Sequence, residues 1–185
     1  MRPPPPLSLP RWLPRRVRAR FTLLAAALSA MAALLAPMCP LQDRAGRPVW
    51  RVQTVHDGDT VTCLDDRGLA VKIRLVGIDA PEYEQPHGAA ARAALAAKVG
   101  GAVRVEGRGR DQHGRVLATL WNGDRDVNRE MVADGWAWEF GGFAADDDLA
   151  AAEEAARRAR RGLWADPQPV RPSEWRSLHP PRHAR

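Results

Sequence analysis

From Trp50 onward the chain alternates apolar and polar residues at every second position, the period of a strand with one buried face. The pattern predicts strands over Trp50–Val55 and Thr60–Leu64. A turn at Asp65-Asp66-Arg67-Gly68 then leads into a long strand, Leu69–Ile78, with Val71, Ile73 and Leu75 on one face. The period lengthens over Gly88–Lys98, an Ala-rich run that reads as a helix stopped by Gly100-Gly101. Alternation returns over Ala102–Gly107 and Val116–Trp121, joined through a turn at Gln112-His113-Gly114 and closed by Asn122-Gly123. Asp126 is placed to cap a short helix ending at Gly135. A last helix is predicted over Asp147–Arg161, with Leu149, Ala152, Ala156, Ala159 and Leu163 as its buried stripe. Asp146, Asp147 and Asp148 lead into it, and Arg157, Arg158, Arg160 and Arg161 end it. That order complements the helix dipole, so these arginines read as capping and solvated rather than as a nucleic-acid face. Trp50, Trp121, Trp136 and Trp164 read as core or barrel-end packing.

Five strands, with one helix after the third and further helices at the end, predict an α+β, mainly β fold. The expected form is a five-stranded OB-fold barrel with about three helices, since closure removes the sheet edges; an α+β sandwich is the alternative. The domain spans 49–166, behind a linker at 39–48 and before a Pro/Arg-rich tail, 167–185, expected to wrap the surface. No internal repeat is found. The segment 1–38 is different in kind. Its first 20 residues are rich in Pro and Arg, and Phe21–Met38 is a run of 18 residues without a charge, directly behind RRVRAR. A basic flank followed by an apolar run is the export pattern. Cleavage near Ala30–Ala32 or Leu35–Pro37 is one expectation, and a membrane anchor through 21–38 is the other. Either puts the domain outside the cytoplasm, periplasmic or secreted.

Charge narrows the argument by removing one. The chain carries a formal +6, but six arginines lie before residue 43 and four after residue 170. Residues 43–170 hold 18 basic and 21 acidic groups, so no basic footprint of the usual nucleic-acid-binding kind belongs to the domain. The two cysteines, Cys39 and Cys63, make neither a disulfide scaffold nor a metal cluster. Cys63 reads as a buried thiol, with a bridge to Cys39 as the lesser alternative.

The candidate chemistry begins at Asp57-Gly58-Asp59-Thr60, which alone is a hairpin turn signal. With Asp66 and Arg67 as the central pair of the following hairpin, Asp59 is expected opposite Arg74. Arg74 is followed by Gly77-Ile78-Asp79-Ala80-Pro81-Glu82, which brings two further carboxylates to the rim where the long strand leaves the sheet. Three carboxylates at one rim repel unless a cation lies among them. Oxygen ligands without His or Cys point to Ca²⁺ or another hard divalent ion.

Three segments, Asp57–Val61, Ile73–Glu82 and Asp111–Arg115, resemble the signatures of the staphylococcal nuclease family in order and spacing. Asp126-Val127-Asn128, Gly135–Trp138 and Arg161–Trp164 resemble its later landmarks. The resemblance implies a Ca²⁺-dependent endonuclease acting on DNA or RNA and leaving a 3′-phosphate; separately, no obligate protein partner is implied and a monomer is expected. It implies Asp59, Asp79 and the backbone carbonyl of Ala80 as metal ligands, and Arg74, Glu82 and Arg115 as catalytic residues. The family's substrate-stacking aromatics have no tyrosine counterparts here. His113 stands at the turn position, and Trp138, Phe140 and Phe143 lie near the others, so His113, Trp138 and Phe140 are the expected substrate-binding residues. The loop Tyr83–His87 is shorter than the family pattern. A catalytically inactive nucleic-acid-binding OB-fold domain, and a surface protein using Ca²⁺ for stability alone, are the competing readings.

Overall fold

The computed structural model describes residues 41–141 and 147–180. The predicted leader or anchor, its cleavage points, Cys39, Phe143 and Asp146 lie outside the described residues. Among the described residues no helix is long and apolar enough to cross a membrane.

Strands β1 (Trp50–Val55), β2 (Thr60–Leu64) and β3 (Ala70–Leu75) form an antiparallel meander. A two-residue strand β4 (Ile78–Asp79) and helix α1 (Gly88–Val99) follow, then β5 (Ala102–Arg110) and β6 (Val116–Asn122). β5 pairs with β1 on one side and β6 on the other. β6 also pairs with β3 in parallel, Arg74 opposite Leu117, which closes five strands into a barrel. The remainder comprises β7 (Arg125–Asp126), α2 (Val127–Ala133), β8 (Trp138–Glu139), α3 (Asp147–Arg158), a 3₁₀ turn (Gly162–Ala165) and α4 (Pro172–Leu178). The fold is thus a mainly β, α+β closed barrel with four α-helices among the described residues.

The period-two positions fill the barrel as their pattern dictates. Val61, Cys63 and Ile73 are fully buried, as are Val103 and Leu120, and Leu95 of α1 joins the same core. Burial pushes the free Cys63 thiol up to about 12, so it is an inert core group. Asp126 caps α2 by accepting the Arg129 N–H at 3.0 Å.

Four expectations need correction. The β2–β3 hairpin is longer by one residue than a two-residue turn. Asp65 Oδ1 accepts the N–H groups of Arg67 (2.9 Å) and Leu69 (2.8 Å), and Gly68 takes φ +75°. The register therefore shifts by one, placing Thr60 rather than Asp59 opposite Arg74. The long strand breaks at Val76-Gly77, where Gly77 has φ +77° and lets Ile78-Asp79 leave the barrel to pair with Trp138-Glu139. Helix α3 ends at Arg158 and Arg160 turns left-handed (φ +50°), so Ala159 is exposed, outside the buried stripe. Its arginines are spent locally: Arg157 pairs with Glu153 and lies 3.9 Å over Trp164, and Arg158 pairs with Glu154. The tail, finally, is not only a wrap, because Pro172 starts helix α4.

Candidate active site

Where β3 leaves the barrel, the chain makes two sharp adjustments that bring carboxylates together. Gly58 packs against Ala80 and Ala91 so closely that a Cβ there would lie 2.6 Å from the Ala80 methyl. Asp59, next in sequence, binds the β4 end through its side chain: Oδ2 accepts the Ala80 N–H at 2.8 Å, and Oδ1 accepts from Thr60 Oγ1 at 2.9 Å. Its carbonyl accepts the Leu75 N–H at 2.8 Å. Beneath this turn Asn128, 2% exposed, donates to Val76 O (2.9 Å) and Ala118 O (3.2 Å) and accepts the Leu120 N–H (3.1 Å). Asn128 thereby fixes the strand exit to the barrel wall, the physical reason for a polar residue inside an apolar helix face.

Arg74 ties the corner. Its Nη1 donates to Leu75 O and Ile78 O, both at 2.7 Å, and its Nη2 lies 3.1 Å from Asp59 Oδ2 and 3.0 Å from Asp79 Oδ1. One partly buried guanidinium thus bridges the two carboxylates despite the shifted register. Its compensation is incomplete. Asp59 is pushed up to about 6 by burial, with Arg74 opposing and Asp57 adding to the rise. Asp79 is also raised, by burial and then by Asp59, against Arg176 and Arg74.

The parallel β3–β6 seam delivers the second predicted arginine. Arg115 stands just before Val116, which faces Ile73. Arg115 Nε is held at 2.7 Å by Asp111 Oδ2, while Asp111 Oδ1 accepts the N–H groups of His113 (2.9 Å) and Arg115 (3.0 Å). Asp111 thus builds the turn and aims the guanidinium together, and the pair engages neither terminal amino group of Arg115. Asp59, Arg74, Asp79, Ala80, Glu82, His113, Arg115 and Phe140 all line one cleft of about 690 Å³. Phe140 is 44% exposed there, its N–H donating to Gly77 O.

Trp138 does not join them. It is 2% exposed and meets Trp164 edge-on at 5.4 Å, in a small core shared with Ala156 and Leu163. It is therefore dropped as a base platform. The rim also differs from a three-carboxylate cluster: among the described residues no three His, Cys, Asp or Glu are gathered tightly enough to hold a metal ion. Asp59 and Asp79 form the close pair, and Glu82 stands apart, engaged by a residue the sequence did not single out. Arg176 of α4 places Nη1 2.7 Å from Glu82 Oε1 and Nη2 3.2 Å from Asp79 Oδ2. The tail's positive charge was visible in the sequence, but no motif distinguished Arg176 from its neighbours.

The donor set suits a hard divalent ion chemically. It offers two buried carboxylate groups with raised proton affinity, a nearby backbone carbonyl at Ala80 and no soft ligand. Arg74, Arg115 and Arg176 surround it with guanidinium groups suited to phosphate oxygens.

Comparison with known proteins agrees with this chemistry. Residues 72–166 match the family model described as Staphylococcal nuclease homologue. A protein of Haemophilus influenzae named "Uncharacterized endonuclease" is 39% identical over 127 residues, covering 68% of this chain and 71% of the relative. One of Escherichia coli with the same name is 41% identical over 128 residues, covering 68% of this chain and 83% of the relative. The "Micrococcal nuclease" of Shigella flexneri is 34% identical over 165 residues, covering 80% of this chain and 94% of the relative.

Proposed function

The chain belongs to the staphylococcal nuclease family, and on that premise we propose that it is a Ca²⁺-dependent endonuclease hydrolysing phosphodiester bonds of DNA or RNA in the cleft just described. The observation that most supports this reading is the meeting of Asp59, Arg74, Asp79, Glu82 and Arg115 in one cleft, from three segments that span residues 59–115.

Asp59, Asp79 and the Ala80 carbonyl would hold the ion in this reading. The chemistry it supplies when bound is Lewis-acid polarisation of a non-bridging phosphate oxygen. Glu82 accepts the proton of the attacking water as the oxygen adds to phosphorus. Arg115, with its terminal amino groups outside the Asp111 pair, grips the phosphate. That contact strengthens as negative charge gathers in the five-coordinate transition state, which makes it catalytic rather than merely adhesive. Arg74 reaches the phosphate by exchanging one of its carboxylate contacts. The leaving sugar oxygen is the one that yields a 3′-phosphate product. Phe140 and His113 flank the cleft as stacking surfaces for bases, which any base can use. The domain acts as a monomer outside the cytoplasm, a placement supported by the charge-free run Phe21–Met38 behind its arginine cluster.

The test is incubation of the purified full chain with end-labelled single-stranded DNA and RNA, in Ca²⁺, in Mg²⁺ and in a chelator. Cleavage in Ca²⁺ that stops with chelator is the expected result, with 3′-phosphate ends on the products. Activity that survives chelation would overturn the metal requirement, and intact substrate under every condition would overturn the enzyme.

A further inference from the structure

The residues beyond 166 lie outside the family match, yet they are built onto the cleft. Gln85, 5% exposed, donates from Nε2 to Val170 O at 2.6 Å, and its Oε1 accepts the Glu82 N–H at 3.1 Å. One buried amide therefore fastens the tail and shapes the Glu82 loop together. Pro172 is buried at the start of α4, and one turn later Arg176 spans Asp79 and Glu82.

Stability alone does not account for this placement. The Arg176 side chain is 47% exposed, and ion pairs so open to solvent contribute at most ~1 kcal/mol. Charge balance does account for it. The cleft is lined by five carboxylates, Asp57, Asp59, Asp79, Glu82 and Asp111, and by four guanidiniums, Arg74, Arg110, Arg115 and Arg176. A divalent cation added to that set leaves one net positive charge, matched to one phosphodiester. Without Arg176 the same set is neutral. Arg176 Nη2 also lies 3.2 Å from Asp79 Oδ2, so a divalent cation held by Asp79 and this guanidinium would repel one another over the same carboxylate. A long, half-exposed side chain relieves the repulsion by turning toward the nearest other anion in the cleft, the substrate phosphate.

We propose that Arg176, carried on the C-terminal helix, is a third phosphate-binding arginine of this nuclease site and yields Asp79 to the divalent ion when substrate is engaged. The proposal rests on the nuclease reading above. It assigns the tail a part in substrate affinity that residues 49–166 alone do not supply.

The experiment uses the full chain as wild type, R176A and R176K. Ca²⁺ binding is titrated calorimetrically without nucleic acid, kcat and KM are measured on single-stranded DNA at saturating Ca²⁺, and thermal midpoints are recorded. Expected for R176A are severalfold tighter Ca²⁺ binding, a KM raised about tenfold for one lost charge-assisted contact, a smaller change in kcat and a nearly unchanged midpoint. R176K should recover part of the KM. Unchanged Ca²⁺ affinity overturns the proposal, because cation and guanidinium then do not meet at Asp79. Unchanged KM overturns it equally. A lowered KM or raised kcat in R176A would make the tail a block on the site instead. Should the wild type cleave no DNA, the nuclease reading fails, and the Ca²⁺ titration still decides the contest for Asp79.

Discussion

Asp59→Asn should stabilise this protein while ending its metal-dependent activity. Burial moves the Asp59 carboxyl from an ordinary 3.8 to about 6. A carboxyl raised in the folded state binds its proton more tightly there than in the unfolded chain. Its contribution to stability is thus full below pH 3.8 and is lost as pH rises to about 6. At about 1.4 kcal/mol per pH unit, that interval corresponds to at most about 3 kcal/mol. The repulsion is shared with Asp79, and Asn keeps one acceptor where Asp59 uses two, for Thr60 and Ala80, a loss of about 1 kcal/mol; a net gain of ~1–2 kcal/mol is expected for the neutral side chain. At roughly 4 °C per kcal/mol for a domain of this size, the midpoint should rise by ~4–8 °C at pH 7. The measurement is thermal or urea unfolding of both proteins in chelator, from pH 4 to pH 8. The difference between the two is the useful quantity, because His56, lowered by burial and by Lys72 and Arg92, titrates in both. The gap should be small at pH 4, open as pH rises toward 6 and stay constant above. A variant less stable than wild type at pH 7, or a gap independent of pH, would refute the burial argument. Ca²⁺ should raise the wild-type midpoint and leave that of Asp59→Asn unchanged.

Arg115→Ala should lower kcat/KM on single-stranded DNA by ~10²–10³, the cost of removing one transition-state donor. Its unfolding free energy should move by less than ~1 kcal/mol, because its pair with Asp111 is partly exposed; equal activity would remove Arg115 from the mechanism. Asn128→Ala leaves the Val76 carbonyl and the Leu120 N–H without their side-chain partner, while the Ala118 carbonyl keeps the Val76 N–H. It should cost ~2–4 kcal/mol in urea unfolding, at ~1–3 kcal/mol for each unsatisfied buried group, and a loss under 0.5 would show that water replaces it. Phe140→Ala should raise KM by roughly tenfold or more with little change in kcat, since base stacking is worth ~1–3 kcal/mol. Trp138→Phe should leave KM unchanged and lower the midpoint, because its ring contacts Trp164 in the core.

The sequence by itself determined most of the fold and the membership of the site. Period-two alternation located β1, β2, β5 and β6 and the first part of β3, because a half-buried strand must alternate. The segments Asp57–Val61, Ile73–Glu82 and Asp111–Arg115 carried the chemistry in order. Tertiary structure decided what touches what. The parallel seam between β3 and β6 brings Arg74 and Arg115 to the same cleft, a closure that no local pattern encodes. The hairpin register depended on whether Asp65 would take two backbone N–H groups into its side chain, a choice between turns of similar energy. Trp138 and Phe140 are two residues apart and would share a face in a continuous strand, yet only Phe140 reaches the cleft, since β8 ends at Glu139 and Trp138 packs with Ala156, Leu163 and Trp164. Arg176 was hidden for the same reason. In the sequence it is one arginine of a basic tail, and only the fastening of that tail by Gln85 places its charge between Asp79 and Glu82. Local propensity acts through a residue's neighbours in sequence, whereas a charge in a cleft is set by partners about 90 residues away, which only the closed barrel brings within reach.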